Sequence, residues 1–315
     1  MANTIFIINT VSPIFLIVIL GWALRKIGVI HEEFIRQSTK FVFNVTLPVL
    51  IFMKLAIVDF STIFDGKIIV LVYSCIFIVF LLSWLLAKIF ITKGKGRGVF
   101  IQGGFRPNNV IIGLALIMNI FGEDAVSRTV MILTFLIPLD NILSVVALTI
   151  SDRQDKRSEA LYEMVKSIAL NPVIIAAIVA IIISLLQVPL PRVIINTGNY
   201  LAAITLPLAL IGVGGTLRIK HLRNTSLITL GASVVKLLVA PLVATVIGYF
   251  IGYTGTDLGI IFILFACPTA IVSYILADAM TPHGELAGNI VLTTTLASSI
   301  TISIGLMILA YLNLI

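Results

Sequence analysis

Residues 103–113 read Gly-Gly-Phe-Arg-Pro-Asn-Asn-Val-Ile-Ile-Gly, and residues 267–274 read Cys-Pro-Thr-Ala-Ile-Val-Ser-Tyr. Each stretch sets a proline and polar side chains inside an apolar run. Proline removes a backbone donor and clashes with the carbonyl four residues back, so each stretch predicts a helix broken in mid-course. In hydrocarbon the freed groups must find partners, and such breaks persist only when buried in protein or lining a wet cavity. Two broken helices that face and cross each other would meet both conditions.

The chain around these stretches has 315 residues, of which 59% are hydrophobic. Only 11% are charged, against ~25% in an ordinary soluble domain, and the mean hydropathy is +1.17. Apolar runs long enough for ~20-residue membrane helices fall at 4–24, 35–53, 67–91, 103–121, 126–150, 168–187, 194–217, 226–251, 258–279 and 287–312. This composition excludes a soluble enzyme, a disordered chain, a coiled coil and a disulfide scaffold. Cys75 and Cys267 both lie in apolar runs. The first run lacks a basic segment before it and is followed by Arg25 and Lys26, so it reads as a retained helix and not a signal peptide.

The net charge of +7 has an orientational reading. Arg25, Lys26, Arg36 and Lys40 lie in or near the first connection; Lys88, Lys93, Lys95, Arg97 and Arg106 in the third; Arg153, Lys156, Arg157 and Lys166 in the fifth; Arg218, Lys220 and Arg223 in the seventh. The even connections hold only Lys54, Lys67, Arg128 and Arg192. Basic residues concentrate in cytoplasmic loops. The expected topology has odd loops inside, both termini outside, and ten spans. Membrane lipid is the expected surroundings. There is no basic patch with interleaved aromatics, so nucleic acid is not an expected partner.

The sequence also repeats itself. Ser12-Pro13 is followed 35 residues later by Thr46-Leu47-Pro48, and Asn171-Pro172 is followed 35 residues later by Thr205-Leu206-Pro207. Both pairs are offset by 159. With small slips, Arg106-Pro107-Asn108 answers Cys267-Pro268-Thr269, and Gly122-Glu123 answers Gly284-Glu285. The units are residues 1–150, a linker at 151–167 with four acids and four bases, and residues 168–315. Five spans per unit is an odd number, so the second unit enters the membrane inverted. Inverted repeats with Gly/Pro-interrupted helices at matching positions are the signature of secondary transporters. The expected fold is an all-α polytopic membrane protein, with ten transmembrane helices in two inverted repeats of five and broken crossing helices 4 and 9.

Half-helix N-termini at such a crossing carry partial positive charge and unpaired N–H groups, which suits a small organic anion. Pro107 and Pro268 are the expected break points. A planar Arg106 guanidinium binds a carboxylate bidentately if it lies at the crossing; if span four starts after it, Arg106 instead snorkels to the surface. Asn108 and Asn109, with Thr269 and Ser273 across from them, offer donors and acceptors. Asp140 is the only acid deep in an expected helix. It reads as a proton carrier, as a group hydrogen-bonded locally beside Pro138, or as a structural partner of Lys236, which itself has a snorkelling alternative. The Gly212–Gly215 run reads as packing or hinge. His31, His221 and His283 lie in separate loops, and no His-Glu-x-x-His or cysteine pair at metal spacing occurs, so neither enzyme nor cofactor nor metal is expected. Within transport, the alternative is a sodium-coupled symporter built on Asn, Thr and Ser oxygens; outside it, an anion channel.

The segments Gly-Phe-Arg-Pro-Asn-Asn-Val-Ile-Ile-Gly-Leu at 104–114 and Ala-Cys-Pro-Thr-Ala-Ile-Val-Ser-Tyr-Ile-Leu-Ala at 266–277, with the two Thr-Leu-Pro copies, resemble the auxin efflux carrier family in its short prokaryotic form. The resemblance covers essentially the whole chain. It implies a scaffold of helices 1, 2, 6 and 7 and a mobile unit of helices 3–5 and 8–10, moving as an elevator. It implies carboxylate substrates such as malate or malonate, and a homodimer. It also implies that Asn108 or Asn109, together with Asn141, contacts substrate. Pro107 stands between Arg106 and Asn108 where the family pattern has no extra residue, which leaves the choice between the two asparagines open.

Overall fold

The computed structural model describes residues 2–92, 94–151, 166, 170–217 and 226–315. Among them every regular element is a helix: α1 (Ala2–Lys26), α2 (Glu32–Ala56), α3 (Gly66–Phe90), α4 (Arg97–Phe105), α5 (Asn109–Phe121), α6 (Glu123–Ser151), α7 (Pro172–Leu185), α8 (Arg192–Thr216), α9 (Leu227–Ile251), α10 (Gly255–Ala266), α11 (Ile271–Met280) and α12 (Gly284–Tyr311), with one further single turn at Phe60–Ile63 before α3. Seven of these are long and apolar enough to cross a membrane: α1, α2, α3, α6, α8, α9 and α12. Helices α5, α7, α10 and α11 are shorter and also apolar. The chain is an all-α, multi-pass membrane protein. Where hydropathy predicts ten uniform spans, two of them (103–121 and 258–279) are each divided between two short helices. A third, α7, has 14 residues and a length of ~21 Å. Most of the 151–167 linker, Lys93 and residues 218–225 lie outside the described residues.

Local chemistry sets the helix ends. Asp65 accepts from the backbone N–H of Lys67 and Ile68, Asn171 from Val173, and Ser226 from Thr229, each satisfying an orphan donor of a first turn. Pro172 starts α7 without needing a donor. Gly122 (φ 81°) and Gly252 (φ 105°) end α5 and α9 in the left-handed region, which glycine enters freely.

The outer surface is apolar where a soluble helix would be charged. Leu81, Leu85 and Ile89 form an exposed stripe at four-residue spacing on α3, and Ile300, Ile304 and Ile308 form another on α12. Such stripes face lipid. The polar contacts between connections fall into two sets. At one end Arg25 Nη1 donates to Gly215 O over 2.5 Å, and His283 Nε2 lies 3.0 Å from Gly94 O. At the other, Lys54 pairs with Glu123 at 2.8 Å, Arg128 with Asp257 at 2.9 Å, and Tyr253 Oη donates to Asp65 Oδ2 at 2.8 Å. Burial, then that hydrogen bond to Asp65, push the Tyr253 hydroxyl above the usual phenol range, so it stays a donor. The connections expected on one side of the membrane therefore meet one another.

Helix pairing is reciprocal. Helix α1 packs on α8 and α7 on α2; α3 packs on α4 and α9 on α10; α5 packs on α6 and α11 on α12. The α1–α8 contact is backbone against backbone. A Cβ on Gly21 would fall on the Ile211 carbonyl oxygen, and one on Gly214 would fall on the Val18 carbonyl oxygen. Small residues allow this approach, and here they account for much of the Gly212–Gly215 run. Gly212 itself is looser, with 3.4 Å between its built Cβ and Thr39 Oγ1. Gly214→Ala and Gly21→Ala are each expected to destabilise by ~1–3 kcal/mol, since backbone must move. Gly212→Ala is expected to cost less. Thermal unfolding in detergent reads the order, and equal midpoints for all three variants would contradict backbone contact at α1–α8.

Candidate functional site

Two prolines dictate the centre of the molecule. A residue before proline is steered out of the α region, and both such residues obey: Arg106 has ψ 109° and Cys267 has ψ 143°. Helix α4 stops at Phe105 and α10 at Ala266. The two extended segments then pair antiparallel, Pro107 against Thr269. Asn108 N–H donates to Pro268 O at 2.8 Å, and Ala270 N–H donates to Arg106 O at 3.2 Å. Each break thus supplies partners for the backbone groups that the other has freed. Side chains complete the joint. Thr269 Oγ1 donates to Gly103 O at 2.7 Å, and Thr269 N–H donates to Thr294 Oγ1 of α12 at 3.1 Å.

Beyond the pairing, α5 begins with a π-helical turn at Asn109–Gly113, in which the N–H groups of both Ile112 and Gly113 reach Asn108 O. Such turns recur at functional sites because they re-aim side chains. The N-termini of α5 and α11 both start from the paired segment.

The expected site residues gather there. Arg106, at 6% exposure, is buried, which corrects the snorkelling alternative: α4 starts nine residues earlier, at Arg97. Arg106 Nη2 donates to Asn141 Oδ1 at 2.6 Å, and Arg106 Nη1 is buried without a hydrogen-bond partner. Asn108, Asn109, Thr269, Ser273 and Asp140 are buried, and Asn141 is half-buried. The Nδ2 of Asn108, both amide atoms of Asn109, Ser273 Oγ and Asp140 Oδ1 have no partner. Buried polar groups in proteins are nearly always satisfied, so this concentration of unsatisfied donors and acceptors makes the crossing the candidate site for a polar ligand. Asp140 is within electrostatic reach of Arg106 and Lys236.

Lys236 departs from the surface alternative given for it. It is fully buried in a π-helical turn of α9, Val235–Val239, and its ammonium donates to Phe265 O at 2.8 Å and not to the Asp140 carboxylate. Asp278 and Glu285 are exposed near the α11–α12 connection. Two buried amides were not singled out from the sequence. Gln102 has neither amide atom partnered, and Asn289 has a free Oδ1. Gln102 carried a readable signal, since it lies one turn before Arg106 on the same helical face. Asn289 sits in a long unbroken helix with no proline nearby and carried none. Among the described residues no group of three His, Cys, Asp or Glu is placed to hold a metal.

A family model described as membrane transport protein matches residues 6–306. The chain belongs to this Mem_trans family. It is therefore a membrane transport protein and not an enzyme. It is 25% identical over 307 residues to an uncharacterised transporter of Methanothermobacter thermautotrophicus, covering 96% of this chain and 98% of the relative. It is also 24% identical over 303 residues to an uncharacterised transporter of Methanocaldococcus jannaschii, covering 94% and 96% respectively. Nearly the whole of this transport protein is thus shared with both archaeal relatives.

The Thr269 hydroxyl is expected to hold the crossing together. Thr269→Val leaves Gly103 O without that donor and is expected to cost ~1–3 kcal/mol, whereas Thr269→Ser is expected to cost almost nothing. A Thr269→Val protein melting with the wild type in detergent would show that the bond does not bear on stability.

Proposed function

We propose that this protein is a secondary active transporter of small organic anions, with a carboxylate as the recognised group and the site where the 106–109 and 267–270 segments pair. The observation that carries this reading is the buried, half-satisfied Arg106 guanidinium. One of its nitrogens is fixed on Asn141 and another is unpartnered, among further unsatisfied amide and hydroxyl groups. A buried cation flanked by free neutral donors, at the N-termini of two helices, is complementary to an oxyanion. A carboxylate would take Arg106 Nη1 with Asn108 or Asn109 on one side and Ser273 on the other. The Thr269 hydroxyl is already committed to Gly103 O and acts more as a strut than as a ligand.

In this reading α4 with α5, and α10 with α11, are single discontinuous spans, and ten spans form two inverted units, 1–150 and 168–315. The reciprocal helix pairings support it: α1–α8 answers α7–α2 across the units, and α3–α4 and α5–α6 answer α9–α10 and α11–α12. The basic connections then face the cytoplasm and both termini lie outside. Helices α1, α2, α7 and α8 form a scaffold, and the remaining helices carry the site as an elevator. Asp140, buried beside Arg106, is the candidate proton site. Malate and malonate are the first substrates to try, with an aromatic carboxylate beside them.

Uptake of these labelled anions into proteoliposomes, with and without a proton gradient, tests the reading. Arg106→Ala and Asn109→Ala are expected to lower saturable uptake at least about tenfold, the size of one lost charge-assisted bond. Asp140→Asn is expected to abolish only the proton-driven part. Uptake that does not saturate would favour a channel. Full activity in all three variants would remove the anion site from the crossing.

A further inference from the structure

The two interrupted helices reach the crossing with their C-terminal ends, where carbonyls lack helical partners and the dipole is negative. These ends are closed differently. At α4, Arg106 N–H takes Gln102 O at 3.0 Å and the neutral Thr269 hydroxyl takes Gly103 O. At α10, Cys267 N–H takes Ile263 O at 3.0 Å, but Phe265 O accepts from the ammonium of Lys236. One equivalent end is closed by a hydroxyl, the other by a full positive charge.

Lys236 is placed for this by backbone geometry. It lies in the π-helical turn Val235–Val239 of α9, a helix that packs along α10. Its side chain is fully buried, and its electrostatic partners are Cys267 and Asp140. A long apolar stem carries the charge to a place that no solvent-facing lysine would occupy. In carriers built on discontinuous helices, half-helix C-terminal ends and unwound carbonyls are where a coupling Na⁺ binds. The same electrostatics attract any small cation: a negative dipole end, a carbonyl oxygen without a helical partner and a nearby carboxylate.

We propose that Lys236 is a tethered cation standing where a coupling sodium ion would otherwise bind, so that this carrier works without sodium. The inference rests on the transporter reading above and separates it from the sodium-symporter alternative. A purely structural lysine would leave behind, once removed, a damaged protein indifferent to the salt supplied. A tethered cation leaves behind a site that sodium can fill.

The test uses the full-length protein as wild type, Lys236→Ala and Lys236→Met, the last preserving the length of the side chain. Thermal midpoints in detergent are compared in sodium chloride and in choline chloride at equal ionic strength. The wild type is expected to melt at the same temperature in both. The variants are expected to melt lower in choline and to regain about 3 °C or more in sodium, as binding to the folded state requires. In proteoliposomes, wild-type uptake is expected to ignore the exchange of sodium for choline. Lys236→Ala uptake is expected to fall at least about tenfold in choline and to recover in sodium. Sodium-stimulated wild-type uptake, or variants whose loss is the same in both salts, would overturn the proposal. If neither variant purifies folded, the wild-type comparison decides: indifference to sodium supports the proposal and stimulation overturns it. The thermal arm needs no substrate, so a failure to transport any carboxylate would count against the carrier reading alone.

Discussion

Everything at the centre of this molecule follows from the absence of water as a hydrogen-bonding partner in a bilayer. A broken helix exposes backbone N–H and C=O groups that hydrocarbon cannot satisfy. Two breaks, at Arg106–Asn108 and at Cys267–Ala270, satisfy each other through Asn108 N–H to Pro268 O and Ala270 N–H to Arg106 O. Each segment supplies backbone partners that the other would lack in hydrocarbon. The pairing also fixes where the polar side chains go. Residues adjoining a paired, extended segment cannot turn out to lipid without undoing it, so Arg106, Asn108, Asn109 and Ser273 are held inside.

The two sides of the pairing contribute unequally. The first brings a guanidinium and two amides, while the second brings hydroxyls, one of which is spent on Gly103 O. The cation that balances the second side comes from outside the break, from Lys236 on α9. Charge is thus divided between two places: Arg106 sits with an open nitrogen, and Lys236 sits on a carbonyl. Asp140 lies within reach of both. Under the proposed function, the open nitrogen meets substrate and the occupied ammonium does not, a difference of partners and not of residue type.

Much of this was legible in the sequence because proline and charge are costly in a membrane helix and therefore informative. Pro107 and Pro268 follow directly on the ends of two helices, at Phe105 and Ala266, and the residues before them are extended for the steric reason that precedes every proline. Asp140 and Arg106 stood out because ionisable groups are rare at that depth. The limits of that reading are equally physical. A lysine in an apolar run can snorkel or pair with a buried acid such as Asp140, and Lys236 does neither: from the π-helical turn at 235–239 its ammonium donates to Phe265 O. Asn289 is an uncharged amide in a long unbroken helix, which composition and spacing do not separate from an ordinary packing residue. Span lengths were also less uniform than hydropathy suggests, since a window of apolar residues does not register that α5, α10 and α11 are short.

The glycine contacts bear on which surfaces can move. Helices α1 and α8 meet at backbone level through Gly21 and Gly214, and Gly215 lies against Ile35 of α2. A contact made by backbone atoms locks register, because sliding by one residue would drive a side chain into the facing main chain. The described polar ties from these helices to the site-bearing group are of another kind. Lys54 of α2 reaches Glu123 at the start of α6, and Asn119 of α5 donates to Thr10 O of α1. The Lys54 tie pairs a largely covered lysine with a carboxylate that is 75% exposed, and exposed ion pairs hold by only ~0–1 kcal/mol. Under the elevator reading, the glycine-packed helices are the part that stays rigid. In that reading the surface that would slide is the one held by side chains able to exchange partners, so the stable and the mobile interfaces would be distinguished by whether backbone or side chain makes the contact.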